Sequence, residues 1–136
     1  MKCFAAAAAF SSASPSKMER HMPASFTPAF ADRLNRYSPL EVHHAIDGAT
    51  VSAGHVYVCP GNCCMEVRDD GQVRISLHPP TTEERYVPSA NRLLTSVAHC
   101  YGAASVGVVL TGMGDDGAAG ALEVDRVGGR VITESE

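Results

Sequence analysis

Several absences narrow what this sequence of 136 residues can be. No apolar run approaches the roughly 18–20 residues that span a bilayer, so membrane insertion is excluded by hydropathy. The longest candidate runs only from Phe4 to Phe10. With Lys2 before it and Ser11, Ser12, Ala13 and Ser14 after it, that stretch faintly imitates a secretory signal. An excess of basic residues is also missing: Lys and Arg number 11 against 15 Asp and Glu, a net charge of −4. That balance excludes a nucleic-acid footprint and a basic membrane-surface binder. Paired cysteine spacing is missing too. Cys3, Cys59, Cys63, Cys64 and Cys100 form an odd count, which reads as reduced thiols of a cytoplasmic protein rather than a disulfide framework. His55 near three of them raises the thought of zinc, but the closed C-x₂₋₄-C template with a second matching pair is not met. No metal and no cofactor are assigned. The chain holds no internal repeat and has length for one domain only. What is present, 45% hydrophobic and 19% charged residues, is the composition of a globular core-former.

Residues 1–20 are rich in Ala and Ser without a period that buries a face, and are read as poorly ordered; residues 21–136 carry the fold. Phe26, Phe30 and Leu34 recur every four residues beside Ser25, Thr27 and Pro28, which predicts a short amphipathic helix over 27–36. His43 and His44 are assigned to a partly exposed helix or loop without a specific role. The run from Gly54 to Cys59, stopped by Pro60-Gly61, reads as a strand. Met65, Val67, Val73, Ile75 and Leu77 alternate with polar residues about Asp69-Asp70-Gly71, the pattern of a half-buried hairpin. Leu93, Leu94, Val97 and Ala98 share one face of a helix starting at Ser89, a favourable N-cap, and His99 lies on the same helix. Ser105 to Leu110 reads as a central strand buried on both faces. A glycine-rich turn, an Ala-rich helix stopped by Gly128-Gly129 and a last strand at 130–133 complete a βαβ unit.

Gly112-x-Gly114-x-x-Gly117 between strand and helix matches a dinucleotide-binding fingerprint, with Glu134 at about the distance of a ribose-binding acid. Asp115 and Asp116 weigh against it, because two carboxylates repel a pyrophosphate at a helix N-terminus. A helix N-terminus instead suits holding one of these carboxylates at the edge of the sheet, where it can orient a histidine; helix capping alone is the plainer alternative.

Beyond these readings, the sequence resembles the bacterial chemotaxis protein-glutamate methylesterases in their catalytic domain. Arg20-His21-Met22-Pro23-Ala24-Ser25-Phe26-Thr27 followed by Phe30 to Leu34 is similar to that family's histidine segment. Gly54-His55-Val56-Tyr57-Val58-Cys59-Pro60-Gly61 resembles its Gly-His-Val-Tyr-x-x-Pro-Gly turn, and Leu110 to Gly120 its most recognisable motif. Pro88-Ser89, Leu93-Leu94 and Ser96-Val97-Ala98 also fit. The resemblance covers about residues 20–136. It implies an α/β fold, a doubly wound, mostly parallel sheet with a β-hairpin in three layers, here incomplete. It implies hydrolysis of glutamate methyl esters, and deamidation of glutamines, on methyl-accepting chemoreceptors through a Ser-His-Asp triad. His21 falls on the general base, Asp116 on the triad carboxylate, and Met113 on a methionine whose main chain lies beside the oxyanion site. Such chemistry needs an imidazole that takes the serine proton and a carboxylate that fixes its tautomer. Cys64 departs from the pattern, standing where a histidine precedes the methionine.

The family's nucleophile turn, Gly-Ala-Ser-Thr-Gly-Gly, has no counterpart here. A crossover of at least about 10–12 residues and a strand must separate it from the histidine, so Ser11, Ser12, Ser14 and Ser16 are too close to His21. No nucleophile is identified, the chain looks truncated at both ends, and a phosphoacceptor regulatory domain is absent. Little or no turnover is therefore expected. The alternatives are a dinucleotide-binding βαβ fragment and a non-catalytic receptor-binding module. Arg85 and Asn91, about the Pro88 loop, are candidates to touch substrate.

Overall fold

The computed structural model describes residues 19–20, 22–110 and 114–134. Most of the segment expected to be poorly ordered, together with His21 and Met113, lies outside the described residues; Glu19 and Arg20 form a short strand, β1.

The first helix, α1 (Thr27–Tyr37), starts where Pro28 fits the first turn, and no side chain caps it. Its buried stripe lies one residue over from the one expected. Thr27 and Ala31 are buried, whereas Phe26 is 64% exposed, because small side chains let the helix approach the strand beneath it. That strand, β2 (Glu41–His44), pairs in parallel with β3 (His55–Val58), Glu41 opposite His55 and His43 opposite Tyr57. His43 and His44 therefore sit on a strand, not on a helix or loop. A four-residue strand gives too short an alternation to read, and two adjacent histidines mask it.

The hairpin forms as expected. β4 (Cys64–Asp69) and β5 (Val73–His78) are antiparallel, with Val67 opposite Ile75. At its tip Gly71 takes φ +102° and donates its N–H to Asp69 Oδ1 at 3.0 Å. The link between β2 and β3 is stitched to this hairpin by Gly48 N–H to Ile75 O and Ile75 N–H to Ala49 O, at 2.9 and 2.8 Å. Ala45, Tyr57, Cys59, Met65, Ile75 and Leu93 form the buried core between these strands and the second helix.

β6 (Tyr86–Val87) pairs in parallel with β1 and leads into α2 (Ala90–Tyr101). Ser89 caps α2 as expected, its side chain accepting from Arg92 N–H. A 3₁₀ turn (Gly102–Ala104) then connects to β7 (Val106–Val109), α3 (Ala118–Arg126) and β8 (Arg130–Thr133), the last strand parallel to β7. The βαβ unit is thus present, but β7 is not buried on both faces. Gly107 is buried against Leu94 and Val124, while Val106 and Val108 on the opposite face are 38% and 49% exposed. Among the described residues β7 pairs with β8 alone, and that face has no second layer over it. Three of the four strand pairs among the described residues are parallel, as an incomplete α/β fold requires. No helix among the described residues is long and apolar enough to cross a membrane.

Candidate active site

Asp116 follows the C-terminal end of β7, and its carboxylate lies against the start of α2. Oδ2 accepts the Ala90 N–H at 2.8 Å, Oδ1 the Asn91 N–H at 3.0 Å, and the Ser89 hydroxyl approaches Oδ1 at 3.4 Å. A helix N-terminus does hold this carboxylate, but it is that of α2 and not that of α3, which follows the glycine turn. The reason is Asn91. Its Oδ1 accepts from Gly117 N–H at 3.0 Å and Gly120 N–H at 2.8 Å, so it serves the first turn of α3. The two helices therefore exchange caps, each satisfying backbone donors that its neighbour cannot pair internally. The exchange requires close approach. A Cβ on Gly120 would lie 2.7 Å from Leu94 Cβ and 3.0 Å from Asn91 O.

Fixed in this way, Asp116 is a carboxylate whose orientation is set by two backbone donors and whose charge meets the positive end of a helix dipole. The same bonds bear on the other sequence readings. Two N–H groups at the start of α3 that a pyrophosphate would need, those of Gly117 and Gly120, are engaged by Asn91, which places that residue in a structural role as well as beside the cleft. Asp115, its neighbour, accepts the Tyr86 hydroxyl proton at 2.8 Å and lies 3.8 Å from Arg85, whose guanidinium stacks 5.1 Å from the Tyr86 ring centroid. These residues, with Glu84, Ser89 and Asn91, line an open cleft of about 220 Å³ next to Asp116.

Arg92 fixes the base of this cleft. It reaches Glu66 on β4 through Nε and Nη2 at 2.7 and 2.6 Å, and Glu84 on the cleft loop through Nη1 at 2.5 Å. Burial alone would push the Glu84 carboxyl up. The Arg92 guanidinium and the Thr81 N–H at 2.7 Å outweigh it and hold the pKa below its ordinary value. Glu66 and Glu84 are not legible as a pair in the sequence, because carboxylates scattered over a hairpin and a loop carry no spacing signal.

The described thiols do not compete for a nucleophile's role. Burial raises the pKa of Cys59, Cys63, Cys64 and Cys100, Cys64 to about 11, so each is a neutral thiol near pH 7. Ser89 is occupied as the α2 cap and donates toward a carboxylate rather than an imidazole. His21 and Met113 lie outside the described residues, but the chain directly after His21 is held in place. A Cβ on Gly61 would collide with the Met22 carbonyl and with the backbone of Pro23 and Ala24. The Pro60-Gly61 turn thus lies against the segment that follows His21.

A carboxylate anchored on a helix N-terminus beyond a parallel strand, beside an open polar cleft, lies at the sheet edge where the sites of α/β proteins are found. Comparison with known proteins narrows the class. The chain belongs to the CheB methylesterase family, whose model matches residues 9–136. It is 47% identical over 120 residues to protein-glutamate methylesterase/protein-glutamine glutaminase 3 of Geobacter sulfurreducens, covering 88% of this chain and 32% of that protein. With protein-glutamate methylesterase/protein-glutamine glutaminase 1 of Myxococcus xanthus the identity is 49% over 118 residues, covering 86% and 34%. The crystal structure of the Thermotoga maritima CheB methylesterase catalytic domain superposes with a TM-score of 0.76 at 36% identity, covering 81% of this chain and 59% of that one. The chain spans about a third of the length of the curated relatives it matches.

Proposed function

We propose that this chain carries the base and carboxylate of a protein-glutamate methylesterase acting on cytoplasmic chemoreceptor segments. In this reading His21 is the general base and Asp116 orients it, with the main chain at Met113 beside the oxyanion. A serine hydroxyl gives its proton to His21 as its oxygen attacks the ester carbonyl. The imidazolium then returns that proton to the departing methanol, and water releases the glutamate by the same base. Deamidation of glutamine follows the same path with ammonia leaving. The observation that carries the reading is the carboxylate of Asp116, a residue of the Thr111 to Gly117 motif, fixed by the Ala90 and Asn91 N–H groups at the start of α2. The names of the relatives support the substrate.

The 136 residues contain no Gly-Ala-Ser-Thr-Gly-Gly turn, so the chain by itself is inactive in this reading and needs a serine from outside these residues. Methanol release from methylated chemoreceptor membranes tests this with three proteins: the chain, His21→Ala and Asp116→Asn. None of them is expected to release methanol. Release abolished by His21→Ala would reveal an internal nucleophile and overturn the inactivity. Release untouched by both substitutions would overturn the site assignment.

A further inference from the structure

On the β2–β3 pair, away from the cleft, a second cluster of donor groups comes together. Strand alternation puts Glu41 and His43, two residues apart on β2, on one face, and the parallel register sets His55 of β3 opposite Glu41. His43 Nε2 and His55 Nδ1 are 2.9 Å apart, and each lies 3.7 Å from Glu41 Oε2. Around a tetrahedral zinc with bonds of about 2.0–2.1 Å, neighbouring donor atoms are roughly 3.3 Å apart. The observed spacings bracket that value, so an ion fits with side-chain shifts of tenths of an ångström.

The cluster is also built on a floor. Tyr57, in register with His43, is only 6% exposed, and its hydroxyl is fixed by accepting Ser52 N–H and donating to Thr50 O. Its ring stacks beneath both imidazoles, at centroid distances of 5.8 Å from His43 and 6.3 Å from His55. The imidazoles lie within 14° of parallel. The ring planes are therefore set before any ion arrives, which lowers the ordering cost of binding. Glu41 is 72% exposed on its side chain and His43 45%, leaving the remaining coordination positions open to water.

We propose that Glu41, His43 and His55 form a surface binding site for a divalent first-row transition-metal ion, of which Zn²⁺ is the probe. Two imidazoles and one carboxylate favour Zn²⁺, Co²⁺, Ni²⁺ and Cu²⁺ over Mg²⁺ and Ca²⁺, which prefer all-oxygen sites. The hydrogen bond between the two rings places a proton on one of the facing nitrogens. On binding, that proton must move to the other nitrogen of its own ring, so that both facing nitrogens present lone pairs. The site shares no residue with the cleft and does not rest on the methylesterase reading.

The test is isothermal titration of the 136-residue chain with Zn²⁺ at pH 7.5 under reducing conditions, alongside ¹⁵N NMR of the imidazoles. The expected result is one ion per chain in the micromolar range, with stoichiometric shifts at His43 and His55 and none at His78 or His99. Binding should weaken at least about tenfold in Glu41→Gln and further in His43→Ala/His55→Ala, should persist in Cys63→Ser, and should not be displaced by Mg²⁺. Unchanged binding in the double variant, shifts at other histidines, or no binding up to about 100 μM free Zn²⁺ would each overturn the proposal. The wild-type NMR arm decides the matter even if a variant does not fold.

Discussion

Replacing Arg92 with Met keeps the apolar stem of the side chain and removes the guanidinium that joins α2 to Glu66 and Glu84. The Arg92, Glu66 and Glu84 side chains are 29%, 20% and 13% exposed, so loss of the guanidinium would leave Glu84 mostly desolvated and Glu66 with the longer contacts of Arg68 at 3.6 Å and His78 at 3.4 Å. Orphaning one partner of a fully buried pair costs about 3–5 kcal/mol, and the partial exposure here brings the expected loss down to about 2–3 kcal/mol. For a domain of this size, roughly 3–5 °C accompanies each kcal/mol, which puts the melting temperature about 6–15 °C lower. The loss must also depend on pH. Because the folded pKa of Glu84 lies below its ordinary value near 4.5, its contribution is fully present above that pH. It is lost as pH falls through the folded value. Thermal unfolding followed by circular dichroism should therefore show a large deficit in Arg92→Met at pH 7 that shrinks as the pH falls below 4.5. Arg92→Lys, with the charge but without the fork, should fall between the two. A deficit below about 0.5 kcal/mol at pH 7, or one unchanged at pH 3, refutes the reasoning.

Other perturbations follow from the exchanged caps. Asn91→Ala orphans the Gly117 and Gly120 N–H groups and should cost about 1–2 kcal/mol in denaturant unfolding, with faster hydrogen exchange confined to the start of α3. Gly120→Ala drives a methyl into Leu94 and the Asn91 backbone and should cost about 1–3 kcal/mol; a neutral result would mean that α2 and α3 are further apart than described. Val124→Ala, at a fully buried position, should cost about 2 kcal/mol by the same unfolding assay, whereas Leu122→Ala, 71% exposed, should be silent.

Much of this architecture is legible in the sequence. The Asp69-Asp70-Gly71 hairpin, the Ser89 cap and the βαβ unit rest on local chemistry, on turn residues, capping oxygens and periodicity, and each is present. Reading failed where the deciding partner is distant in sequence. Periodicity marked Phe26, Phe30 and Leu34 as the inner face of α1, yet the inner face is set by how closely β2 approaches, which selects Thr27 and Ala31. Asp116 was legible as a carboxylate for a helix N-terminus. That the helix is α2 depends on Asn91, some 25 residues earlier, capping α3 in return. The run from Ser105 to Leu110 promised a doubly covered strand, but burial depends on which layers are present over it. The Glu41, His43 and His55 cluster was hidden because its members look unrelated until β2 is known to be a strand and its register with β3 is fixed.

The most direct test of the carboxylate–base pairing is the ¹H and ¹⁵N spectrum of the His21 ring in the chain and in Asp116→Asn. If Asp116 orients His21, the wild type shows a strongly downfield Nδ1 proton protected from exchange, and that resonance disappears or moves far upfield in the variant while the rest of the spectrum stays folded. A His21 ring whose resonances are the same in both proteins would contradict the assignment of Asp116 as its partner.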